Sequence, residues 1–402
     1  MTAPDRRGPR PLGLHLTMAV AGTLGSRGAL PNWRRASPGS RPPGVAALLD
    51  ALDAHPPEAV DAAVARAAAA RLSAILDGIE RYRRHSWRRT LVDPPPVWAE
   101  GASRLLRFGG GRGVPVLLVP SLVNRSTVLD LDEGNSLVRH LAARGLDPFL
   151  LDWGTPGEAE RAYTLTDYVA GRLDRALAAV RAARPDRRPV VLGYCMGGLL
   201  AVALAQLRPE AVAALALLAT PWDFHAADRA MALRLGALGE ALRPMLAAWG
   251  AFPVDHIQAL FAALDPMQVP RKFARWGAAP PDPAAERAFV ATEDWLNDGV
   301  PLAGPVALEC LAGWYGANAP GTGAWTVAGR PVRPETLPHR SLVIVPSNDR
   351  IVPPASALAL ARLLPAATVR RPRLGHIGMV VGRRAPRAVW APLARWLAAA
   401  PE

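Results

Sequence analysis

The stretch Pro189-Val-Val-Leu-Gly193-Tyr-Cys195-Met-Gly-Gly198-Leu-Leu200 decides the fold of this chain. A short apolar run precedes Gly193 and a helical pattern follows Gly198, which predicts a strand that turns sharply into a helix at Cys195. This is the setting of a nucleophile elbow, G-x-S-x-G, with cysteine in place of serine. Large side chains would clash beside so tight a turn, which explains the flanking glycines. The pattern favours a nucleophilic Cys195 over a buried structural cysteine near a turn.

The same stretch predicts how an attacking cysteine would be supported. The N-terminus of the helix behind Cys195 would stabilise a thiolate, and the backbone N–H of Met196 is an expected oxyanion donor. A second donor is expected from the loop after the strand candidate Val114–Val119. Either Leu122 or Val123 would supply it, and side-chain chemistry does not choose between them because the donor is a backbone group.

A nucleophile of this kind needs an orienting acid and a base, which follow it in chain order. Asp349 comes after the apolar run Leu342–Val345 in a polar turn and is the favoured acid, while Asp223 is its rival after an earlier strand. Among the eight histidines, His376 is the best placed base, in a late loop bounded by glycines. The order of Cys195, Asp349 and His376 therefore predicts a catalytic triad.

Short apolar runs alternate with helical segments on both sides of the elbow. This alternation predicts an α/β fold with a mostly parallel sheet and helices on both faces. Between His225 and about Arg333 the alternation fails, and the chain there is helical and rich in Trp and Pro. We expect an N-terminal arm and helices over 1–94, the first part of the α/β core over 95–224, a helical lid insertion over 225–333 and the last part of the core over 334–402.

The N-terminal segment carries few decisive patterns. Its richness in Pro, Gly and Arg predicts an extended or loosely packed arm over residues 1–43. Two helices are expected over 44–55 and 58–85, separated by a pair of prolines. The apolar stretch Pro11–Ala21 follows three arginines as in a signal peptide, but Pro, Gly and His interrupt it, so we favour a surface-docking or core-packing segment.

Composition limits the classes of function. The formal net charge is +13, and a basic surface attracts anions such as nucleic acid, anionic lipid or a CoA-type phosphate. No motif selects nucleic acid, so we expect no nucleic-acid partner, and we expect no metal site. No apolar run reaches the ~20 residues of a membrane span. Cys195 and Cys310 are the two cysteines, too few for a disulfide scaffold, which indicates a reduced compartment.

Many blocks of this sequence resemble the polyhydroxyalkanoate synthases, a family of the α/β-hydrolase superfamily. The resemblance runs from roughly residue 95 to 400 and is nearest the short type that works with a separate partner subunit. Arg350 stands where the family commonly has His, and Pro372-Arg373-Leu374 replaces the usual glycine-rich lead. The matching blocks are Pro120–Arg125, Val128–Leu131, Asn135–Val138, Leu151–Gly154, Leu165–Val169, Gly193–Gly198, Thr220–His225, Trp295–Gly299, Asp349–Pro354 and Gly375–Gly378.

The resemblance implies an α/β-hydrolase-fold acyltransferase that polymerises 3-hydroxyacyl-CoA and releases CoA through an acyl-Cys195 intermediate. Asp349 and His376 match the family's acid and base, the CoA thioester is the substrate, and no cofactor is expected. The implied setting is the cytoplasm, with a polyester granule surface and a second synthase subunit or a homodimer as partners. Two alternatives stay open: a depolymerase or thioesterase with the same triad, and a non-enzymatic granule-associated paralogue.

Other aromatic and cysteine residues have less specific patterns. Trp276, Trp295 and Trp314 fall in the expected insertion, where packing in a core is favoured over lining an acyl path. Cys310 lies in a helical pattern, and we expect it to be a buried bystander.

Overall fold

The computed structural model of the chain describes residues 6–35, 37, 44–278, 282–365 and 367–401. Eight strands form its main sheet. They are β1 (Pro96–Glu100), β2 (Ser103–Arg107), β3 (Pro115–Val119), β4 (Asp147–Asp152), β5 (Val190–Tyr194), β6 (Ala214–Leu218), β7 (Arg340–Ile344) and β8 (Ala367–Arg370). Their order across the sheet is β1-β2-β4-β3-β5-β6-β7-β8.

The described residues of the two units also form helices. They are α1 (Leu12–Arg35), α2 (Val45–Asp53), α3 (Pro57–Arg84), α4 (Leu137–Ala143), α5 (Asp174–Ala183), α6 (Met196–Leu207), α7 (Arg229–Trp249), α8 (Val254–Leu264), α9 (Gln268–Ala278), α10 (Pro283–Asn297), α11 (Gly304–Leu308), α12 (Pro354–Leu363), α13 (Gly378–Val381) and α14 (Ala391–Ala398). π-Helical turns extend three of them: Asp167–Leu173 before α5, Glu309–Gly316 after α11 and Pro386–Trp390 before α14.

The main sheet is antiparallel at one edge and parallel elsewhere. β2 pairs antiparallel with both β1 and β4, and every later neighbouring pair is parallel. β4 and β5 lie on opposite sides of β3, so the crossovers from β3 to β4 and from β4 to β5 run in opposite directions along the sheet. Because both crossovers are right-handed, α4 and α5 cover opposite faces. β3, β5 and β6 are buried along their whole length, as expected for strands covered on both faces. The predicted α/β class and mostly parallel sheet are confirmed.

The chain forms two compact units. The first contains the described residues up to Arg88 and those of Gln258–Asn297, and the second contains those of Arg89–Ile257 and Asp298–Glu402. The first is helical, and its core consists of Ala19, Ile75, Ile79, Tyr82, Phe273, Trp276 and Val290. The second holds the whole main sheet and the predicted triad. The segment 225–333, expected as one insertion, contributes to both units.

The prediction of an extended arm over 1–43 is wrong for most of the described part, because Leu12–Arg35 is a helix. Pro11 stands just before this helix, where proline does not interrupt helical hydrogen bonds. Ala19 is only 1% exposed in the core of the first unit, which matches the core-packing interpretation of Pro11–Ala21. Residues 1–5, 36 and 38–43 of this prediction lie outside the described residues. The two expected helices after the arm are confirmed as α2 and α3.

The sequence patterns did not indicate β1 and β2. β1 is exposed or half-buried along its length and lies at the edge of the sheet, so it lacks the apolar run that marks the interior strands. None of the helices in the described ranges is both long enough and apolar enough to cross a membrane.

Candidate active site

Cys195 occupies the sharp turn between β5 and α6. Its backbone has φ 56° and ψ −127°, a conformation that residues with a Cβ rarely adopt. Two hydrogen bonds hold it there: its N–H donates to the carbonyl of Leu218 at 2.8 Å, and its carbonyl accepts from the N–H of Gly198 at 2.9 Å. Because β5 is an interior parallel strand, this turn places Cys195 at the carboxyl edge of the sheet, where ligands of open α/β folds bind.

The glycines beside Cys195 are required by close approach of other backbone. A Cβ added at Gly197 would lie 2.1 Å from the carbonyl oxygen of Val119, at the end of β3. A Cβ added at Gly193 would lie 2.4 Å from the Cα of Gly198. Both distances are far inside van der Waals contact, so the elbow packs only because these positions have no side chain.

We expect Gly197→Ala to lower the free energy of unfolding by about 3 kcal/mol. Helix propensity alone would favour alanine within α6 by about 1 kcal/mol, but the clash is with backbone that no rotamer change can move. Gly313→Ala is the matched control, since a Cβ there meets nothing within 4 Å in another helical turn of the same unit. Urea denaturation followed by circular dichroism compares the two variants, and equal stabilities would contradict this account.

Asp349 and His376 form a buried pair. His376 Nδ1 lies 2.7 Å from Asp349 Oδ2, and the two residues are 7% and 6% exposed. The other carboxylate oxygen, Oδ1, accepts the N–H groups of Ile351 and Val352, each at 2.9 Å. The Tyr194 hydroxyl donates to the His376 carbonyl at 3.2 Å, and the two rings lie 5.3 Å apart. Backbone N–H groups therefore hold the Asp349 carboxylate, while Tyr194 holds the His376 backbone and lies beside its ring.

The segments that carry this pair continue the sheet beyond its last strands. The N–H of Ser347 donates to the carbonyl of Pro372 at 2.9 Å, and that of Asn348 donates to the carbonyl of Leu374 at 3.0 Å. The segments after β7 and β8 thus run side by side in parallel. Asp349 directly follows Asn348, and His376 comes two residues after Leu374. The two side chains therefore meet because their strands are neighbours.

His376 also contacts Cys195. Burial lowers the pKa of His376, but the negative charge of Cys195 and hydrogen bonds to Asp349 and Cys195 outweigh it and raise the pKa to about 10. Since Asp349 occupies Nδ1, the sulfur is bonded on the side of Nε2. The structure brings together the three residues that the chain order indicated. The rival acid, Asp223, instead accepts from the His225 N–H and the Asn318 side chain, both at 2.9 Å.

The residues expected to supply oxyanion donors lie on α6 and in the loop after β3, the strand that pairs with β5. Met196 is the first residue of α6, directly after Cys195. The Val123 N–H donates to the hydroxyl of Ser121 within its own loop at 3.2 Å. This bond engages the Val123 donor and favours Leu122, which is 5% exposed, as the second one.

Tyr315 is a neighbour of Cys195 that the sequence analysis missed. Burial raises the pKa of its hydroxyl, and the charges of Cys195 and Cys310 raise it further. Its ring packs edge-on against Phe224 with centroids 4.8 Å apart, and its carbonyl lies 2.8 Å from His225 Nε2. Nothing in a helical, Trp-rich segment distinguishes such a tyrosine from a core aromatic residue. Cys310, expected to be a buried bystander, is half-buried, and its surroundings raise the pKa of its thiol.

Two of the three tryptophans singled out by the sequence pack against other aromatic rings. Trp276 stacks on Phe289 in the first unit, with centroids 4.2 Å apart. Trp314 packs edge-on against Trp325 in the second unit at 5.4 Å. Within the described ranges, no group of three His, Cys, Asp or Glu side chains is arranged to hold a metal ion.

The strand order, the strained elbow at Cys195 and the buried Asp349–His376 pair define an α/β-hydrolase-fold enzyme with cysteine at the nucleophile position. A family model described as alpha/beta hydrolase fold matches residues 114–253. The chain is 33% identical to the poly(3-hydroxyalkanoate) polymerase subunit PhaC of Synechocystis sp., over 71% of this chain and 77% of that protein. It is 30% identical to the PhaC subunit of Allochromatium vinosum, over 75% and 87%.

These identities and shares confirm the resemblance found in the sequence. The chain belongs to the PhaC family of poly(3-hydroxyalkanoate) polymerases, and it is an enzyme of the acyltransferase class.

Proposed function

We propose that this enzyme polymerises 3-hydroxyacyl groups from CoA thioesters into polyhydroxyalkanoate through an acyl-Cys195 intermediate, with Asp349 as the acid and His376 as the base. The observation that carries the proposal is the chain of contacts from Cys195 to His376 and from His376 to Asp349 at 2.7 Å. It supplies a nucleophile, a base and an orienting acid in one buried site. The relatives that share most of the chain are named as polymerases of this polymer.

In the first half of the reaction, His376 takes the thiol proton of Cys195 and the thiolate attacks the carbonyl carbon of the acyl-CoA. A new C–S bond forms, and the negative charge moves to the carbonyl oxygen. The N–H of Met196 and that of Leu122 or Val123 stabilise this oxyanion. When the carbonyl re-forms, the bond to CoA sulfur breaks, His376 returns the proton to the departing CoA thiolate, and acyl-Cys195 remains.

In the second half, a hydroxyl group of another monomer or of the growing chain attacks acyl-Cys195. His376 removes the hydroxyl proton, an ester C–O bond forms, and the bond to Cys195 sulfur breaks. A thioester suits this exchange because the cysteine thiolate is a good leaving group and takes the proton back from His376. The cycle we propose uses no cofactor besides the CoA thioester itself.

The setting we propose for this reaction follows from the family resemblance. The enzyme acts in the cytoplasm at the surface of a polyester granule, as a complex with a second synthase subunit or as a homodimer. The names of the two relatives support a second subunit, since each is called a subunit of a polymerase.

The proposal is tested by giving the purified enzyme 3-hydroxybutyryl-CoA in ¹⁸O-labelled water. We expect each CoA released, measured with a thiol reagent, to be matched by one monomer in sedimentable, chloroform-soluble polyester without ¹⁸O in its ester groups. A depolymerase or thioesterase would instead release CoA with soluble, ¹⁸O-labelled 3-hydroxybutyrate. A non-enzymatic granule protein would release no CoA above the rate in buffer. Either result would overturn the polymerase proposal.

A further inference from the structure

Exposed arginines border the carboxyl edge of the sheet beside the triad. Arg350 directly follows Asp349 in the segment after β7, and Arg371 and Arg373 lie in the segment after β8 that leads to His376. Arg371 and Arg373 are two residues apart, the spacing at which side chains of an extended segment point to the same side. Hydrogen bonds from the segment after β7 to the Pro372 and Leu374 carbonyls hold the backbone that carries both arginines.

Among the described residues, no contact in the fold accounts for the side chains of Arg371 and Arg373. All three arginines are exposed, and no ion pair with another residue in the described ranges holds Arg371 or Arg373. Many exposed arginines elsewhere are paired, as Arg175 is with Glu100 and Arg208 is with Asp174. Two exposed guanidinium groups close together on a fixed backbone form a positive surface open to an anion from solution.

We propose that Arg371 and Arg373, with Arg350 beside them, bind the phosphate groups of the CoA nucleotide while its thioester lies at Cys195. This inference rests on the proposed function, since it assigns a place to the part of the substrate that does not react. Guanidinium groups suit phosphates because they donate two parallel hydrogen bonds to an oxyanion. CoA presents a diphosphate and a ribose phosphate, and each carries negative charge at neutral pH.

The geometry of the sheet supports this assignment. Cys195 follows β5 and the arginines follow β8, so three strand spacings separate them along the sheet, about 14 Å. The pantetheine arm of CoA separates the reacting sulfur from the diphosphate by a long flexible chain that can span such a gap. The bound nucleotide would thus lie over the outer strand of the sheet, away from the oxyanion loop after β3 on the other side of Cys195.

The double variant Arg371→Gln/Arg373→Gln tests the proposal with two substrates. One is 3-hydroxybutyryl-CoA, and the other is the 3-hydroxybutyryl thioester of N-acetylcysteamine, which has the same reacting group and no phosphate. We expect KM for the CoA thioester to rise about tenfold with little change in kcat, because two charge-assisted hydrogen-bond donors are lost. KM for the phosphate-free thioester should not change. An equal rise for both substrates, or no rise for CoA, would overturn the assignment.

A matched control is Arg144→Gln/Arg181→Gln. These arginines are also exposed, but they precede β4 and β5 and so lie at the opposite, amino edge of the sheet. This variant should leave both KM values unchanged, and a rise in KM for the CoA thioester equal to that of the test variant would show that only net charge matters.

Binding of desulfo-CoA, measured by calorimetry, separates the failure of this inference from a failure of the proposed function. The ligand cannot react, so tenfold weaker binding to the Arg371→Gln/Arg373→Gln variant would support the phosphate site even in an enzyme that forms no polymer. Unchanged binding of desulfo-CoA to this variant would overturn the phosphate-site proposal. Loss of binding to phosphatidylglycerol vesicles with unchanged affinity for desulfo-CoA would assign the surface to lipid and also overturn the proposal.

Discussion

Cys195→Ala is expected to abolish CoA release and polyester formation from 3-hydroxybutyryl-CoA, with a loss of at least about 10⁴-fold in kcat/KM. Without the sulfur no acyl-enzyme can form, and His376 has no thiol to deprotonate. Oxyanion donors and substrate binding would remain, but in enzymes of this type they support only a small residual rate without a nucleophile. Thiol release and polymer yield, measured together, check the result.

The fold should survive this substitution. Alanine has the same Cβ as cysteine, so it meets the same strain at φ 56° and keeps the backbone bonds to Leu218 and Gly198. Cys310→Ala is the matched control, since Cys310 lies in a helical turn and burial raises its pKa. Cys310→Ala should keep its activity. One equivalent of iodoacetamide should inactivate this variant by alkylating Cys195. Prior loading with acyl substrate should protect Cys195 from this alkylation. Substantial activity in Cys195→Ala would refute the acyl-Cys mechanism.

The sequence was most informative where backbone geometry restricts the residue type. Gly193 and Gly197 revealed the elbow because any side chain there would overlap fixed backbone. His376 and Asp349 were found by chain order, which parallel strand topology dictates once the elbow is placed. The strand order was not predicted, because alternating strands and helices with right-handed crossovers are compatible with several orders of a parallel sheet.

Other features depend on tertiary contacts that no local pattern encodes. β1 is an exposed edge strand whose residues gain little from burial, so its apolar pattern is weak. The helix Leu12–Arg35 was overlooked because glycines and prolines suggested an arm, whereas packing of Ala19 into the core of the first unit stabilises it. Tyr315 lies near enough to Cys195 to feel its charge, although it comes from a segment more than a hundred residues later in the chain.

Asp349→Asn is expected to lower kcat by about 10³- to 10⁴-fold while the fold is kept. The N–H groups of Ile351 and Val352 both donate to Oδ1, so the asparagine oxygen must stay there and its NH₂ group must replace Oδ2. That NH₂ would donate to Nδ1 of His376, which forces the ring proton onto Nε2. A protonated Nε2 cannot accept the thiol proton of Cys195, so the base is lost although every heavy atom stays in place.

Asp223→Asn is the matched control for this substitution. Asp223 also follows a strand of the sheet, and Oδ1 accepts both of its hydrogen bonds, so an asparagine oxygen could replace it there. We expect kcat to change by less than about threefold, because the partner of His376 is Asp349. A loss in Asp223→Asn as large as that in Asp349→Asn would show that the acid had been assigned to the wrong aspartate.

The same pair of variants makes a prediction about pH. The hydrogen bond to Asp349 and its charge are among the causes that raise the pKa of His376 to about 10, so Asp349→Asn should lower that pKa, as ¹⁵N NMR of the ring would show. A raised folded-state pKa adds stability that is fully present below the unfolded value of about 6.5 and is lost as pH rises toward 10. The stability difference between wild type and Asp349→Asn should therefore be larger at pH 6 than at pH 10. A difference that grew with pH would contradict the direction of the shift, whereas Asp223→Asn should show no such trend.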